Sequence, residues 1–159
     1  MAKKPLFEVE AIVRPEWIDF NGHMNMGFYA VAFDYLATDN YFTYLGLAED
    51  HFRTEQKSTF TLGMNIDYLK EVFEGDRLRF TTQLLDCDHK RLHYFHSMYN
   101  LDKGYLAAVN ECLTMYIDMQ TRRSTTFSDE HLVRFAQELE QDSQHGVPGG
   151  FGRKLGIRR

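Results

Sequence analysis

The sequence predicts an α+β domain in which one long, almost wholly apolar helix lies against a curled antiparallel sheet. Three observations carry that prediction. Between residues 24 and 45 apolar side chains recur at three- and four-residue steps on nearly every face. Between residues 58 and 118 the period drops to two, in four runs separated by turn-forming segments. The length, 159 residues, suits one such domain with a short tail (1–141 and 142–159).

The elements follow in order. Leu6 to Val13 alternates and reads as a short strand that Pro15 closes. Pro15 to Asn25 is rich in turn formers, with Asp19, Asn21 and Gly22 close together. The helix from Met24 to Leu45 carries Met26, Tyr29, Phe33, Leu36, Ala37, Tyr41 and Tyr44 at helical spacing, with Phe28, Val31, Tyr35 and Phe42 on its other faces. A helix apolar all round is buried on most sides, and Gly46 supplies its stop. Glu49 to Lys57 is polar and partly helical. The strands then run Ser58–Leu69, Asp76–Cys87, Arg91–Tyr99 and Tyr105–Asp118, and their short connections imply an antiparallel meander. Ser128 caps a closing helix that reaches Leu139. From Gln141 the chain is Gly-rich and basic, with Arg153, Lys154, Arg158 and Arg159, and reads as a flexible or partner-docked extension. One sheet cannot enclose such a helix completely, so apolar surface is left for a second subunit and a homodimer is expected.

Composition narrows the function. With a net charge of −5 the chain is a poor general binder of nucleic acid. Cys87 and Cys112 are too few for a disulfide framework or a four-ligand zinc site, and both sit in apolar runs. No apolar stretch is long enough to span a membrane, and MAKKPLFEVE lacks the apolar core of a secretion signal. The expectation is a cytoplasmic protein without a metal.

The residues that can carry chemistry are Asp19-Phe20-Asn21-Gly22-His23-Met24-Asn25, just ahead of the long helix. The first N–H groups of a helix have no intrahelical acceptor and bear partial positive charge. They polarise a carbonyl placed there and stabilise an oxyanion. Gly22 lets a ligand approach the backbone, and Asp19 puts a carboxylate beside the same carbonyl as nucleophile or base. These parts suit hydrolysis of an activated acyl group. The same residues also make a turn and a helix cap, with Asn21 or Asn25 as the cap.

WIDFNGHMNMGFY resembles the D-x-x-G-H-x-N signature of hotdog-fold acyl-CoA thioesterases of the 4-hydroxybenzoyl-CoA type, and the element order from residue 6 to 140 is theirs too. The resemblance implies that Asp19 is the catalytic carboxylate, that Gly22 is the motif glycine, and that the backbone N–H of Met26 holds the thioester carbonyl. Asn21, His23 and Asn25 would orient the carboxylate, the water or the substrate. It further implies an acyl-CoA substrate with no separate cofactor, and a dimer or dimer of dimers. Further segments, DHKRLHYFHSMY, NECLTMYID and GRKLGI, resemble hotdog thioesterases of carnitine breakdown, which hydrolyse betainyl-CoA. In TFTLGMN, Gly63 stands where that subgroup has an acidic residue. The 13 Phe and 9 Tyr offer faces on which a trimethylammonium group binds well, although packing is their ordinary use.

Other residues are weighed beside these. Asp34, in the apolar helix, is a second catalytic candidate or one half of an ion pair. Lys90 and Arg91, with Arg153 and Lys154, could contact the phosphates of CoA. His93 and His96 point to opposite faces of a strand and cannot share a metal. Glu111 either contacts substrate or pairs internally. Two other activities compete: an enoyl-CoA hydratase, whose D-x-N-P-x-H pattern is absent, and a non-catalytic acyl-CoA-binding module.

Overall fold

The computed structural model describes residues 3–157. The chain forms β1 (Phe7–Ile12), a 3₁₀ turn at Pro15–Trp17, a long helical rod, α3 (Glu49–Glu55), β2 (Lys57–Tyr68), β3 (Arg77–Cys87), β4 (Arg91–Asn100), β5 (Tyr105–Asp118), the two-residue β6 (Arg123–Ser124) and α4 (Asp129–Ser143). The expected architecture is present: an antiparallel sheet curls around the rod.

The strand order is β1-β3-β4-β5-β2, with β6 continuing beside β5. The meander therefore holds for β3, β4 and β5 only. β2 pairs with β5 across the sheet, because the connection from Leu69 to Asp76 carries the chain past the rod's leading end before β3 begins. β2 is thus an edge strand, with exposed Phe60, Leu62 and Met64.

The rod corrects the expectation of one uniform helix from Met24. It starts at Met26 as α1 (Met26–Ala32), widens into a π-helical turn at Phe33–Thr38, and continues as α2 (Asp39–Leu45). Nothing in the apolar pattern marks the π turn, since neither Pro nor Gly occurs in it. The turn is fixed from outside. Thr38 Oγ1 lies 3.0 Å from His96 Nε2, and His96 Nδ1 lies 2.8 Å from Thr82 Oγ1, so one buried imidazole ties rod, β4 and β3 together. Burial pushes the His96 pKa down to about 3 and keeps the ring neutral. The rod is not buried on most sides in a single protomer: Met26 and Tyr35 are about two-thirds exposed, at 68% and 66%.

Two core clusters divide the rod. The leading half packs Tyr29 and Phe33 with Trp17, Met24, Val72 and Phe80. The trailing half packs Tyr41 and Leu45 with Leu84, Tyr94, Phe127 and Phe135 of α4. α4 runs four residues beyond the expected Leu139, to Ser143. After it the chain lies along the outer face of the sheet. Gln83 Nε2 donates to Gly146 O (2.7 Å), Gly152 N to Glu111 Oε2 (2.8 Å), Asn65 Nδ2 to Arg153 O (3.1 Å), and Arg153 pairs with the buried Asp67 at 3.2 Å.

Candidate active site

The motif folds as a tight hairpin that delivers Asp19 to the start of the rod. Ile18 and Met24 form an isolated antiparallel bridge, Asp19 N donates to His23 O (3.1 Å), and Gly22 N donates back to Asp19 O (2.9 Å). Gly22 closes this turn at φ +82°, a conformation open to glycine at little cost. Asn25 N donates to Trp17 O (2.9 Å) and Met24 N to Val72 O (3.0 Å), which fasten the hairpin to its surroundings.

Asn25 performs both roles that the sequence left open. Its Oδ1 accepts from Gly27 N (2.9 Å) and caps the rod, while its Nδ2 donates to Asp19 Oδ2 at 3.0 Å. Asn21 N donates to Asp19 Oδ1 at 2.8 Å, so both carboxylate oxygens are held. The Asn25 side chain, followed by the Asn21 backbone N–H, lowers the Asp19 pKa below the ordinary aspartate value. Among the described residues the Met26 N–H meets no acceptor. It is an orphan donor of the helix start, beside the carboxylate.

These groups open onto one cavity of about 540 Å³, lined by Asp19, Asn21, His23, Asn25 and Met26 and walled by Tyr29, Tyr68, Leu69 and Glu71. The Tyr29 and Tyr68 rings meet edge to face at 5.0 Å, and Tyr68 OH donates to Met26 O at 3.1 Å. The arrangement can seat a carbonyl oxygen on a backbone N–H with an anionic oxygen close by, which is the equipment of an acyl-transfer site.

The other candidates lie elsewhere in the protomer. Lys90, on the turn between β3 and β4, and Arg91, the first residue of β4, lie at the trailing end of the rod, where Arg91 pairs with Asp88. Asp34 is exposed and lines a separate hollow with Thr38, Asp39 and Phe42. Glu111 pairs with His93 at 2.9 Å on the outer face, while His96 is buried on the inner face. Cys112 is buried, and that burial pushes its thiol up to about 12. Two residues at the site stand outside those expected from the sequence: Glu71, whose Oε1 lies 2.9 Å from His23 Nδ1, and Tyr68, a partner of the rod's first carbonyl. Both come from β2 and the connection after it, more than forty residues from the motif, and no local pattern marks them.

A helix in a curled antiparallel sheet, with an acid and a free amide at the helix start, defines the class of hotdog-fold thioesterases. Residues 13–135 match the Thioesterase-like superfamily. The chain is 37% identical to the betainyl-CoA thioesterase of Pseudomonas aeruginosa over 148 residues, covering 93% of this chain and 92% of that protein. It is 32% identical to the L-carnitine dehydrogenase/betainyl-CoA thioesterase of Ruegeria pomeroyi, covering 96% of this chain but 30% of that longer protein. Among solved structures, the Staphylococcus aureus protein SAV2348 in complex with CoA superposes with a TM-score of 0.91 at 31% identity, covering 99% and 98% of the two chains. A DHNA-CoA thioesterase from the same organism shares the fold, with a TM-score of 0.76 at 19% identity, covering 89% of this chain and 95% of that one. The chain belongs to the thioesterase-like superfamily, and its activity is the hydrolysis of a thioester.

Proposed function

We propose that the protein hydrolyses a small, cationic acyl-CoA, betainyl-CoA being the leading substrate, with Asp19 as the catalytic carboxylate. The observation that carries this reading is the meeting of three features at one spot: the Asp19 carboxylate, the unengaged Met26 N–H and the mouth of a 540 Å³ cavity. In this reading the thioester carbonyl points at Met26 N–H, and the oxyanion that forms is stabilised there. Asn25 and Asn21 keep Asp19 anionic and aimed. The thiolate leaves without an acid, because thiols ionise near pH 8.5. The aromatic walls of Tyr29 and Tyr68 suit a trimethylammonium headgroup. Identity to a betainyl-CoA thioesterase along nearly the whole chain supports the same substrate.

The protein works in this reading as a homodimer or a dimer of such dimers in the cytoplasm, where acyl-CoA thioesters are found. The free edge of β2, with Phe60, Leu62 and Met64 exposed, supports assembly, since long apolar edge strands are normally covered. Among the described residues no helix is long and apolar enough to cross a membrane.

A thiol-release screen over short, aromatic, long-chain and betainyl-CoA thioesters tests the reading. Betainyl-CoA is expected to give the highest kcat/KM. Asp19→Asn should lose about 10³-fold in kcat, on the order of 4 kcal/mol, while sedimentation still reports the dimer. Full activity of that variant would refute the role of Asp19, and inactivity toward betainyl-CoA would refute the substrate.

A further inference from the structure

After α4 the chain crosses the outer face of the sheet, strand by strand, toward the β2 edge. Gln83 of β3 holds the carbonyl of Gly146, Gly150 lies over Phe95 of β4 and Val109 of β5, and Gly152 N donates to Glu111 of β5. At β2 the segment is fixed twice. Asn65 Nδ2 donates to Arg153 O, and the Arg153 guanidinium meets the buried Asp67 carboxylate at 3.2 Å. The seat is shaped to the segment: a Cβ added at Gly150 would stand 3.3 Å from Val109 Cγ2, so bare backbone is what fits there. The anchored part therefore ends at the last strand of the sheet. The residues beyond it find no seat in their own protomer, with Leu155 91% exposed and Ile157 87%.

Leu155 and Ile157 alternate with Lys154 and Gly156, so an extended arm carries both apolar side chains on one side. A single exposed apolar residue is ordinary, but this pair is anchored beside an edge strand that itself exposes Phe60, Leu62 and Met64. The four residues from Arg153 to Ile157 reach about 13 Å when extended. Strands lie about 4.8 Å apart, so the arm spans two strands beyond β2. A second copy joined at the β2 edge brings its own β2 and β5 within that distance. The outer face of those two strands has a hollow of about 440 Å³, lined by Gly63, His93, Glu111 and Leu113. Gly63 and Leu113 are paired directly across β2 and β5 and so share this face. A side chain built at Gly63 would meet nothing within 4 Å, and Leu113 beside it is left partly exposed. Within one protomer the ground over this glycine is open.

We propose that the C-terminal segment is a clasp between subunits: Arg153 anchors it at the β2 edge of one protomer, and Leu155 and Ile157 cross that edge into the hollow at Gly63 and Leu113 of a second copy. The inference rests on the paired assembly proposed above and is independent of which thioester is cleaved. Under a two-fold axis the contact is reciprocal, so each copy gives one arm and receives one. Strand pairing alone supplies backbone hydrogen bonds, which any exposed edge can offer. The arm adds apolar burial and selects the partner, because it closes only where a matching hollow lies within its reach. Two features that the catalytic site leaves unused thereby acquire a role: the apolar residues of a basic tail and an open glycine in an edge strand.

The test uses the full chain. Protein grown on ¹⁵N, with the photo-crosslinker p-benzoylphenylalanine in place of Leu155, is mixed with ¹⁴N wild type, allowed to exchange subunits, irradiated and digested. Mixed-isotope crosslinks from position 155 to peptides of β2 or β5 are expected. Native mass spectrometry of the same mixtures gives the rate of subunit exchange. Leu155→Asp/Ile157→Asp should speed exchange at least about ten-fold, because lost interface contacts act mainly on dissociation. Gly63→Leu, whose side chain has room in the protomer, fills the hollow from the other side and should speed exchange by a similar factor. The three changes together should exceed either set alone by less than about two-fold, since both remove one contact. Crosslinks that stay within one isotope or fall on another surface, exchange rates unchanged in either set, or effects that multiply when the sets are combined would each overturn the clasp. A wild type that sediments as a monomer removes the paired assembly and the clasp together, whereas a dimer whose crosslinks stay within one chain removes the clasp alone.

Discussion

The two ends of the central rod are treated in opposite ways. At the trailing end the carbonyls of Phe42, Thr43, Tyr44 and Gly46 all find donors. Gly46 takes the left-handed conformation at φ +79°, Leu47 N returns to Phe42 O at 2.8 Å, and Arg134 and His131 of α4 reach the carbonyls of Tyr44 and Gly46. At the leading end one asparagine caps Gly27 N, the Met26 N–H is left over, and the surface opens into a cavity. Closure at one end anchors the rod, which allows the other end to keep an unsatisfied donor where a reacting carbonyl can use it.

That contrast can be broken in graded ways. Phe135 is fully buried in the trailing cluster, against Phe127 at 4.9 Å. Phe135→Ala should cost about 3–5 kcal/mol in a denaturant titration, with kcat near wild type in the molecules that stay folded. A comparable fall in kcat would show that the two ends are not independent.

A pH effect of about 3 kcal/mol also belongs to the trailing cluster. Burial raises the Asp142 pKa to about 6, against the opposing pull of its bond from Leu84 N. A carboxyl whose pKa rises on folding binds protons more tightly when folded. Its contribution is therefore complete below the unfolded value near 4 and is lost as the pH climbs through about 6. Stability should fall over that window in the wild type and stay flatter in Asp142→Asn, as read by melting curves from pH 3.5 to 7.

Asn25→Ala strikes the leading end. Removal of a cap costs about 1 kcal/mol, a melting shift of roughly 2–4 °C for a chain of this size, and the same change releases Asp19 and should cut kcat at least about ten-fold. If stability fell and kcat did not, the bond from Asn25 to Asp19 would be irrelevant to catalysis. The smallest effect is expected at Tyr41, whose buried hydroxyl has no hydrogen-bond partner among the described residues. Tyr41→Phe removes an unsatisfied group and should leave stability unchanged or raise it by up to about 1 kcal/mol.

What the sequence revealed and what it hid divide along physical lines. Period-two alternation in Asp76–Cys87 and the all-round apolarity of the rod report burial, and burial is what the fold satisfies, so both were legible. The motif was legible because hairpin, cap and carboxylate lie within seven consecutive residues, Asp19 to Asn25. Glu71 was not, because tertiary structure alone brings it to His23. The crossing of β2 to the far edge was hidden too, since strand pairing depends on how a connection is routed rather than on alternation. From its glycines and basic residues the C-terminal segment reads as a flexible or partner-docked extension, while in the fold the amide of Gly152 meets Glu111 and the side chain of Arg153 meets Asp67. Composition reports the cost of ordering such a chain and says nothing of the acceptors waiting for it.

The widened turn at Phe33–Thr38 sets the phase between the two halves of the rod. Each α-helical residue advances about 100° around the axis. If one residue were deleted from that turn, the backbone could relax to a regular helix while everything after it rotated by about that angle. Tyr41 and Leu45 would then swing off their partners in the trailing cluster although no side chain there had changed. The alignment between the anchored end and the reactive end is thus stored in a count of residues, held in step by the imidazole of His96.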